Sequence, residues 1–223
     1  NYIAGAIVTR LDTDENSGRV YFNYQGKEEK ITAKLLILAD GGQLAKQLPD
    51  ITYQTHDYQQ WAVVANVKAE KKQIGIAYER FTSDGPVALL PNDKDFALVW
   101  TVTPEASKEI VALDDATFLA RLHRHFGDRL GRFVSAGKRS AFPLALKYAT
   151  SVTTQRVALI GNAAQTLHPV AGQGFNLGLR DAYELACEII STQSSSPDTR
   201  APAMLSRYRP RRPMDRRTGW KST

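Results

Sequence analysis

The first part of the chain alternates short apolar stretches with turn-forming residues. A strand is predicted over residues 1–10, with Ala6-Ile7-Val8 at its centre. Asp12-Thr13-Asp14-Glu15-Asn16-Ser17-Gly18 reads as a polar loop, Arg19 to Tyr24 as a returning strand, and Gln25-Gly26-Lys27 as another turn. Leu35-Leu36-Ile37-Leu38 is unbroken and apolar, the pattern of a strand buried on both faces. It ends at Asp40-Gly41-Gly42.

Residues 50–110 read as antiparallel sheet. Trp61 to Lys68, Gly75 to Phe81, Gly85 to Leu90 and Asp95 to Thr103 are the predicted strands, with turns at Ser83-Asp84-Gly85 and Pro91-Asn92-Asp93. Asp114 to Phe126 reads as a helix. Asp114 or Asp115 caps it, Phe118, Leu119, Leu122 and Phe126 form its apolar stripe, and Gly127 ends it. Lys138 to Tyr148 is a further strand, interrupted at Pro143. Arg156 to Ile160 is a short apolar strand, residues 161–174 are irregular, and Phe175 to Ile190 is helical. Ser191 to Pro202 reads as a polar linker before a last helix over residues 202–217.

Composition changes this picture in two places. The formal charge is +6, and the stretch from Arg207 to Lys221, with seven basic residues and one acid, carries all of it. Such a tail suits anionic lipid, an acidic partner surface or nucleic acid, or is a solvated terminal helix. No groove-reading motif or stacking aromatic array accompanies it, so no nucleic-acid partner is expected. The single cysteine, Cys187, supports a reducing compartment, and its helical context predicts a buried, inert thiol. No run of about 18 apolar residues occurs, so no membrane-spanning helix is expected. Asn1 is not a start residue, and a chain that opens within a strand reads as a piece of a longer protein.

The chemistry concentrates in Arg156 to Asp181, RVALIGNAAQTLHPVAGQGFNLGLRD. A strand runs into Gly161-Asn162-Ala163-Ala164. A loop with Pro169, Gly172 and Gly174 then opens into a helix. Glycines let a backbone approach a ligand closely. A helix N-terminus offers free N–H groups and partial positive charge. The carboxyl end of a strand is where open α/β sheets bind ligands. No metal centre is predicted: His123 and His125 are two apart and lie on different helix faces. No Ser-His-Asp triad appears either.

In its order of residues, this segment resembles the second FAD-binding motif of flavoprotein aromatic hydroxylases. That pattern is strand-G-D-A-A-H, then P-x-x-G-x-G-x-N, then R-D on a helix. The chain has Gly161-Asn162-Ala163-Ala164-Gln165, then Pro169 to Asn176, then Arg180-Asp181. Leu38-Ala39-Asp40-Gly41 resembles the family's internal G-A-D-G. The family continues there with x-x-S-x-x-R, where this chain has Leu44 and Gln47. Asn162 in place of Asp, with Gly85 to Pro91 and Val99-Trp100-Thr101, is most similar to the ubiquinone-pathway branch acting on 2-polyprenyl-6-methoxyphenol. No G-x-G-x-x-G fingerprint is present, and the resemblance implies that it lies upstream of Asn1.

The resemblance implies an α/β fold: part of a Rossmann-like FAD-binding domain (residues 1–48 and 153–223) with an inserted, mostly antiparallel substrate-binding sheet (49–152). It implies a monooxygenase in which a flavin hydroperoxide hydroxylates a polyprenylated phenol, with electrons from NAD(P)H or another donor. The cofactor-binding residues it implies are Asp40, Gly41, Gly161, Asn162, Pro169, Gly172, Gln173, Gly174, Phe175, Asn176 and Leu177. Pro169 and His168 are the catalytic candidates; His168 reads equally well as a loop histidine bonded to backbone. Asp40 reads equally well as a turn residue. Trp61, Val63, Ala65 and Val67, or the alternate set, form one face of the substrate sheet. A cytoplasmic enzyme peripheral to the inner membrane, meeting other ubiquinone-biosynthesis proteins, is implied. A reductase or halogenase on the same scaffold, or a non-catalytic folding or partner-binding module, are the competing readings. A halogenase would add a catalytic lysine and a tunnel motif that the sequence lacks.

Overall fold

A computed structural model of the chain describes residues 2–71, 75–167, 172–193 and 200–208. The first strands are β1 (Ile7–Thr13), β2 (Gly18–Tyr24), β3 (Lys27–Ala33) and β4 (Leu36–Leu38). After them come β5 (Tyr53–Ala69), β6 (Tyr78–Arg80), β7 (Val87–Asn92) and β8 (Asp95–Val102). Helices α1 (Pro104–Ala112) and α2 (Asp115–Phe126) precede β9 (Phe133–Ala136) and β10 (Ser140–Ala149). The chain continues through β11 (Thr153–Thr154), β12 (Val157–Leu159) and β13 (Gln165–Thr166) to α3 (Gly174–Gln193) and α4 (Arg200–Tyr208).

These elements form two compact units, residues 1–56 with 146–223, and residues 57–145. In the first unit β1, β2 and β3 make an antiparallel sheet, and β11, β12 and β4 make a second. β4 and β12 run parallel, with Leu36 opposite Val157 and Leu38 opposite Leu159. Their apolar side chains share a core with Leu185 of α3 and Met204, Leu205 and Tyr208 of α4. Arg156 enters β12 at φ 61°, and its buried guanidinium donates to the carbonyls of Glu15 and Lys34. That arginine fixes the β1–β2 loop against the start of β4. α3 and α4 are joined by a second polar lock. Glu188 is buried and accepts from Arg207 Nε at 3.1 Å, while Arg207 Nη2 donates to Thr192 Oγ1 at 2.5 Å.

In the second unit β5, β8, β7 and β6 are neighbours in an antiparallel sheet, and β9 pairs with β5. Val63, Ala65 and Val67 stand opposite Trp100, Leu98 and Phe96. They pack with Ile110 of α1 and Phe118, Leu122 and Phe126 of α2. Asp114 caps α2, accepting from Thr117 N at 3.0 Å, and Gly127 ends it. His125, near the end of α2, packs on Trp100 with ring centroids 4.9 Å apart, and its Nε2 lies 2.9 Å from Thr82 Oγ1. Burial, helped by the Arg80 and Arg121 charges, holds this imidazole below the usual histidine range, against the pull of Asp84. A histidine depressed in the folded state contributes stability that is full above its ordinary value of about 6.5 and is lost as pH falls through the folded value. Urea unfolding at pH 7 and pH 5 should therefore show a larger acid loss for the natural chain than for His125→Asn. Equal losses would contradict this.

Several sequence expectations change. The strand expected over residues 1–10 begins only at Ile7. Leu36 and Leu38 are buried, but Ile37 is 45% exposed, so the apolar run is covered on one face. Cys187 is exposed, because the buried stripe of α3 is Asp181, Leu185, Glu188 and Thr192, and position 187 falls outside it. Residues 104–110 are helix and not sheet: Thr103 accepts from Ala106 N and Pro104 opens α1. Pro143 does not break β10: among the described residues β13 pairs with Lys147 and Tyr148, so no ladder hydrogen bond to β13 is needed at residue 143. The strand expected over 75–81 is confined to Tyr78–Arg80 at the end of the sheet. α3 reaches Gln193 and α4 starts at Arg200, inside the expected linker. Arg207 is an internal partner of Glu188 and not a free tail cation. The other six basic residues of the tail lie outside the described residues.

Candidate functional site

Leu159 ends β12, and the chain turns sharply through Gly161–Ala163. Gly161 takes φ 57°, a region that favours glycine. Its N–H donates to Asp181 Oδ2 of α3 at 3.0 Å, and Asp181 is buried. One turn earlier on α3, Gly178 has no side chain to hold the helix away: a Cβ there would stand 3.2 Å from Gly161 Cα. Carboxylate and glycine together press α3 against the turn, which sets the helix N-terminus beside the end of β12.

A groove of about 690 Å³ opens at that junction. Gly161, Asn162, Gly172, Gly174 and Phe175 line it, with Ala39, Ile160, Thr166 and Leu179. No charged side chain lines it among the described residues. Its polarity comes from Thr166, from the exposed Asn162 amide and from the start of α3, where the N–H groups that precede the Leu177–Gln173 bond have no acceptor within the helix. An added Cβ at Gly172 or Gly174 would meet nothing within 4 Å, so both glycines face open space.

The remaining predicted residues sit differently. Asp40 and Gly41 do not line the groove. Asp40 Oδ1 accepts from Gly42 N at 2.9 Å and Oδ2 from Leu44 N at 2.7 Å, so the carboxylate holds its own loop. Gln173, Asn176 and Leu177 lie in the approach to α3 and its first turn, outside the lining. Asn176 Nδ2 bonds Gln173 Oε1 at 3.3 Å, and Leu177 N donates to the Gln173 carbonyl. His168 and Pro169 lie outside the described residues. Gln47 binds β1 on both sides of its amide, accepting from Leu11 N and donating to Thr9 O, each at 3.2 Å.

Two side chains matter here that sequence reasoning did not single out. Asp181 was legible only as part of a motif, and its role as the anchor of Gly161 needs the fold. Tyr53 carried no signal at all. It opens β5 and donates its hydroxyl to the Ala163 carbonyl at 2.8 Å. Burial and the nearby Asp40 carboxylate push its phenol above the usual range.

A glycine turn at the carboxyl end of a parallel strand, facing a helix N-terminus across an uncharged groove, is the layout of a nucleotide-cofactor platform. The chain belongs to the FAD binding domain family, which it matches over residues 6–217. Among its relatives, the ubiquinone hydroxylase UbiL of Rhodospirillum rubrum is 38% identical over 81% of this chain and 42% of its own length. The 3-demethoxyubiquinol 3-hydroxylase of Escherichia coli is 35% identical over 84% of this chain and 48% of its own length. The chain thus spans less than half of each of these two relatives. Among solved structures, the flavin-dependent halogenase CmlS shares the fold with a TM-score of 0.74, at 20% identity, over 91% of this chain and 38% of its own.

Proposed function

We propose that the full-length protein is an FAD-dependent monooxygenase that hydroxylates a polyprenylated phenol in ubiquinone biosynthesis, using NAD(P)H or another electron donor. The observation that carries this reading is the α3 groove, where Gly172 and Gly174 leave open space beside a helix N-terminus. Those features fit a flavin. A planar ring edge can lie against backbone with no Cβ in the way, and the helix terminus suits its negative charge. FAD, when bound, supplies the oxygen activation. The chain's own contribution is placement. The Asn162 amide can donate to or accept from a ribityl hydroxyl. The backbone from Gly172 to Asn176 is assigned to offer N–H groups to the pyrimidine edge, while the Leu177 N–H is already bonded to the Gln173 carbonyl. Pro169 and His168 are the residues assigned a role toward the reacting ring. Asp40 and Gly41 belong to the second cofactor loop.

The second unit is assigned to the substrate. Val63, Ala65 and Val67 are committed to the helix-covered core. The alternate set therefore remains for the isoprenoid tail: Val64 of β5, Ala97 and Val99 of β8, and Ala88 and Leu90 of β7 share the opposite face and are half-buried or exposed. No helix among the described residues is long and apolar enough to cross a membrane. The lipid substrate is accordingly met at a membrane surface or handed over by other ubiquinone-biosynthesis proteins.

The test compares the full-length protein with this chain alone. The full-length protein should purify with FAD and, with a reductant and labelled O₂, place one labelled oxygen on a prenylated phenol, detected by mass spectrometry. The chain alone should carry no stoichiometric flavin. A full-length protein that binds no flavin would sink the reading, and a stoichiometric flavin band in the chain alone would show that the groove suffices.

A further inference from the structure

Tyr53 stands where two loops meet. Its hydroxyl donates to the carbonyl of Ala163, in the turn that presents Gly161 and Asn162. The loop that follows β4 packs against the same hydroxyl at a glycine. At Gly42 a Cβ would lie 2.5 Å from the Tyr53 hydroxyl and 3.5 Å from the same Ala163 carbonyl. Gly42 is buried at φ 86°, and its N–H is bonded to Asp40. One phenol oxygen is therefore wedged between the backbone of residues 40–44 and that of residues 161–163.

The support beneath Tyr53 is firm. Thr150 N donates to the Thr52 carbonyl at 2.8 Å, and Ala149 N donates to the Ala164 carbonyl at 2.9 Å. The Lys147 ammonium sits 4.1 Å from the Tyr53 ring centroid. The start of β5, the end of β10 and the Gly161 turn are thus tied together, with Tyr53 as the side chain that reaches the Asp40 loop.

We propose that Tyr53 is a positioning residue for the flavin: its hydroxyl locks the Asp40–Leu44 loop to the Gly161–Ala163 turn, so that both approach one cofactor in a fixed relation. This rests on the FAD reading above. Tyr53 need not touch the cofactor. Removing its hydroxyl frees the Ala163 carbonyl and lets the turn shift, which loosens Asn162 and Gly161 without removing any core side chain.

The experiment titrates FAD into apo full-length protein, natural and Tyr53→Phe, by quenching of flavin fluorescence, and records the visible circular dichroism of the bound flavin. The loss of one hydrogen bond that acts on binding should raise Kd about three- to tenfold. The dichroism band should change, and the apo unfolding midpoint should stay within about 2 °C, as suits the loss of one half-buried hydroxyl. A lower apo midpoint with unchanged Kd and dichroism would make Tyr53 merely structural and overturn the assignment. Gly42→Ala approaches the same contact from the other loop, pressing a methyl group on the phenol oxygen. It should weaken FAD binding more in the natural background than on Tyr53→Phe: the backbone strain at φ 86° and the 3.1 Å approach to Tyr53 Cζ are common to both, while the 2.5 Å contact needs the hydroxyl oxygen. Additive effects would overturn the proposal. Should Tyr53→Phe not accumulate folded, an unchanged Kd in Gly42→Ala alone would do so. A natural protein that binds no FAD would instead overturn the underlying reading, and this assignment with it.

Discussion

Gly174→Val in the full-length protein is expected to abolish flavin retention and lower turnover at least about 100-fold, the scale of a displacement of about 1 Å at a reacting centre. The fold should survive. Gly174 does not occupy the left-handed region, and an added Cβ there meets no atom within 4 Å. A β-branched residue in the first turn of α3 costs at most about 0.7 kcal/mol of helix propensity relative to alanine. Any large loss must therefore come from what enters the groove. Gly172 is a poorer probe, because its φ of 59° would strain any side chain whether or not a ligand binds. Flavin content, turnover and thermal midpoint should be measured together. Natural flavin content and turnover in Gly174→Val would show that the groove is not the cofactor platform.

Arg207→Ala should cost the chain about 2–3 kcal/mol. The arginine is about half exposed, but its partner Glu188 is not: the Glu188 side chain is 7% exposed. Removing one member of such a pair takes away part of what compensates a buried carboxylate, at about 3–5 kcal/mol for a fully buried case, and water reaching the Arg207 side reduces this. At about 2–4 °C per kcal/mol for a chain of this size, the midpoint should fall by about 4–12 °C. Glu188→Gln should cost less, because the amide oxygen still accepts from the guanidinium and no charge is stranded. Thermal unfolding of both variants decides this; a larger loss in Glu188→Gln would refute the argument.

The elements legible in the sequence are those with one dominant signal. The α2 stripe of Phe118, Leu122 and Phe126 between Asp114 and Gly127 is one. The returning strand at Arg19 to Tyr24 and the turns at Ser83-Asp84 and Asp93 are others. β3 was invisible because Lys27-Glu28-Glu29-Lys30 carries no apolar alternation, and charge on both faces suits an edge strand. α1 was legible in principle, from Thr103 before Pro104, but nine residues with a weak stripe were absorbed into the preceding sheet. At the site, the glycines, the small-residue turn and the helix start were readable as one continuous segment. What ties them was not. The Asp181–Gly161 bond spans 20 residues and the Tyr53–Ala163 bond 110, and no local pattern records such pairings. Cys187 illustrates a related limit. Residue type suggested burial, but the phase of the α3 stripe decided it.

The division of the chain has a consequence for the order of events at the ribosome. Residues 57–145 are continuous in sequence and hold their own apolar core. The unit around them is not continuous: Leu38 must wait for Leu159, 121 positions later, before the parallel pair of β4 and β12 can form. Non-local pairing of that kind is slow, because the loop-closure entropy is lost before any contact is gained. The inner unit can therefore close while the outer one is still half made, and β4, with Ile37 open to solvent, stays without its neighbour throughout that interval. In refolding from denaturant, the Trp100 signal of the inner unit should recover ahead of hydrogen-exchange protection at Ile160, whose N–H donates to the Leu38 carbonyl only once the two ends of the chain have met.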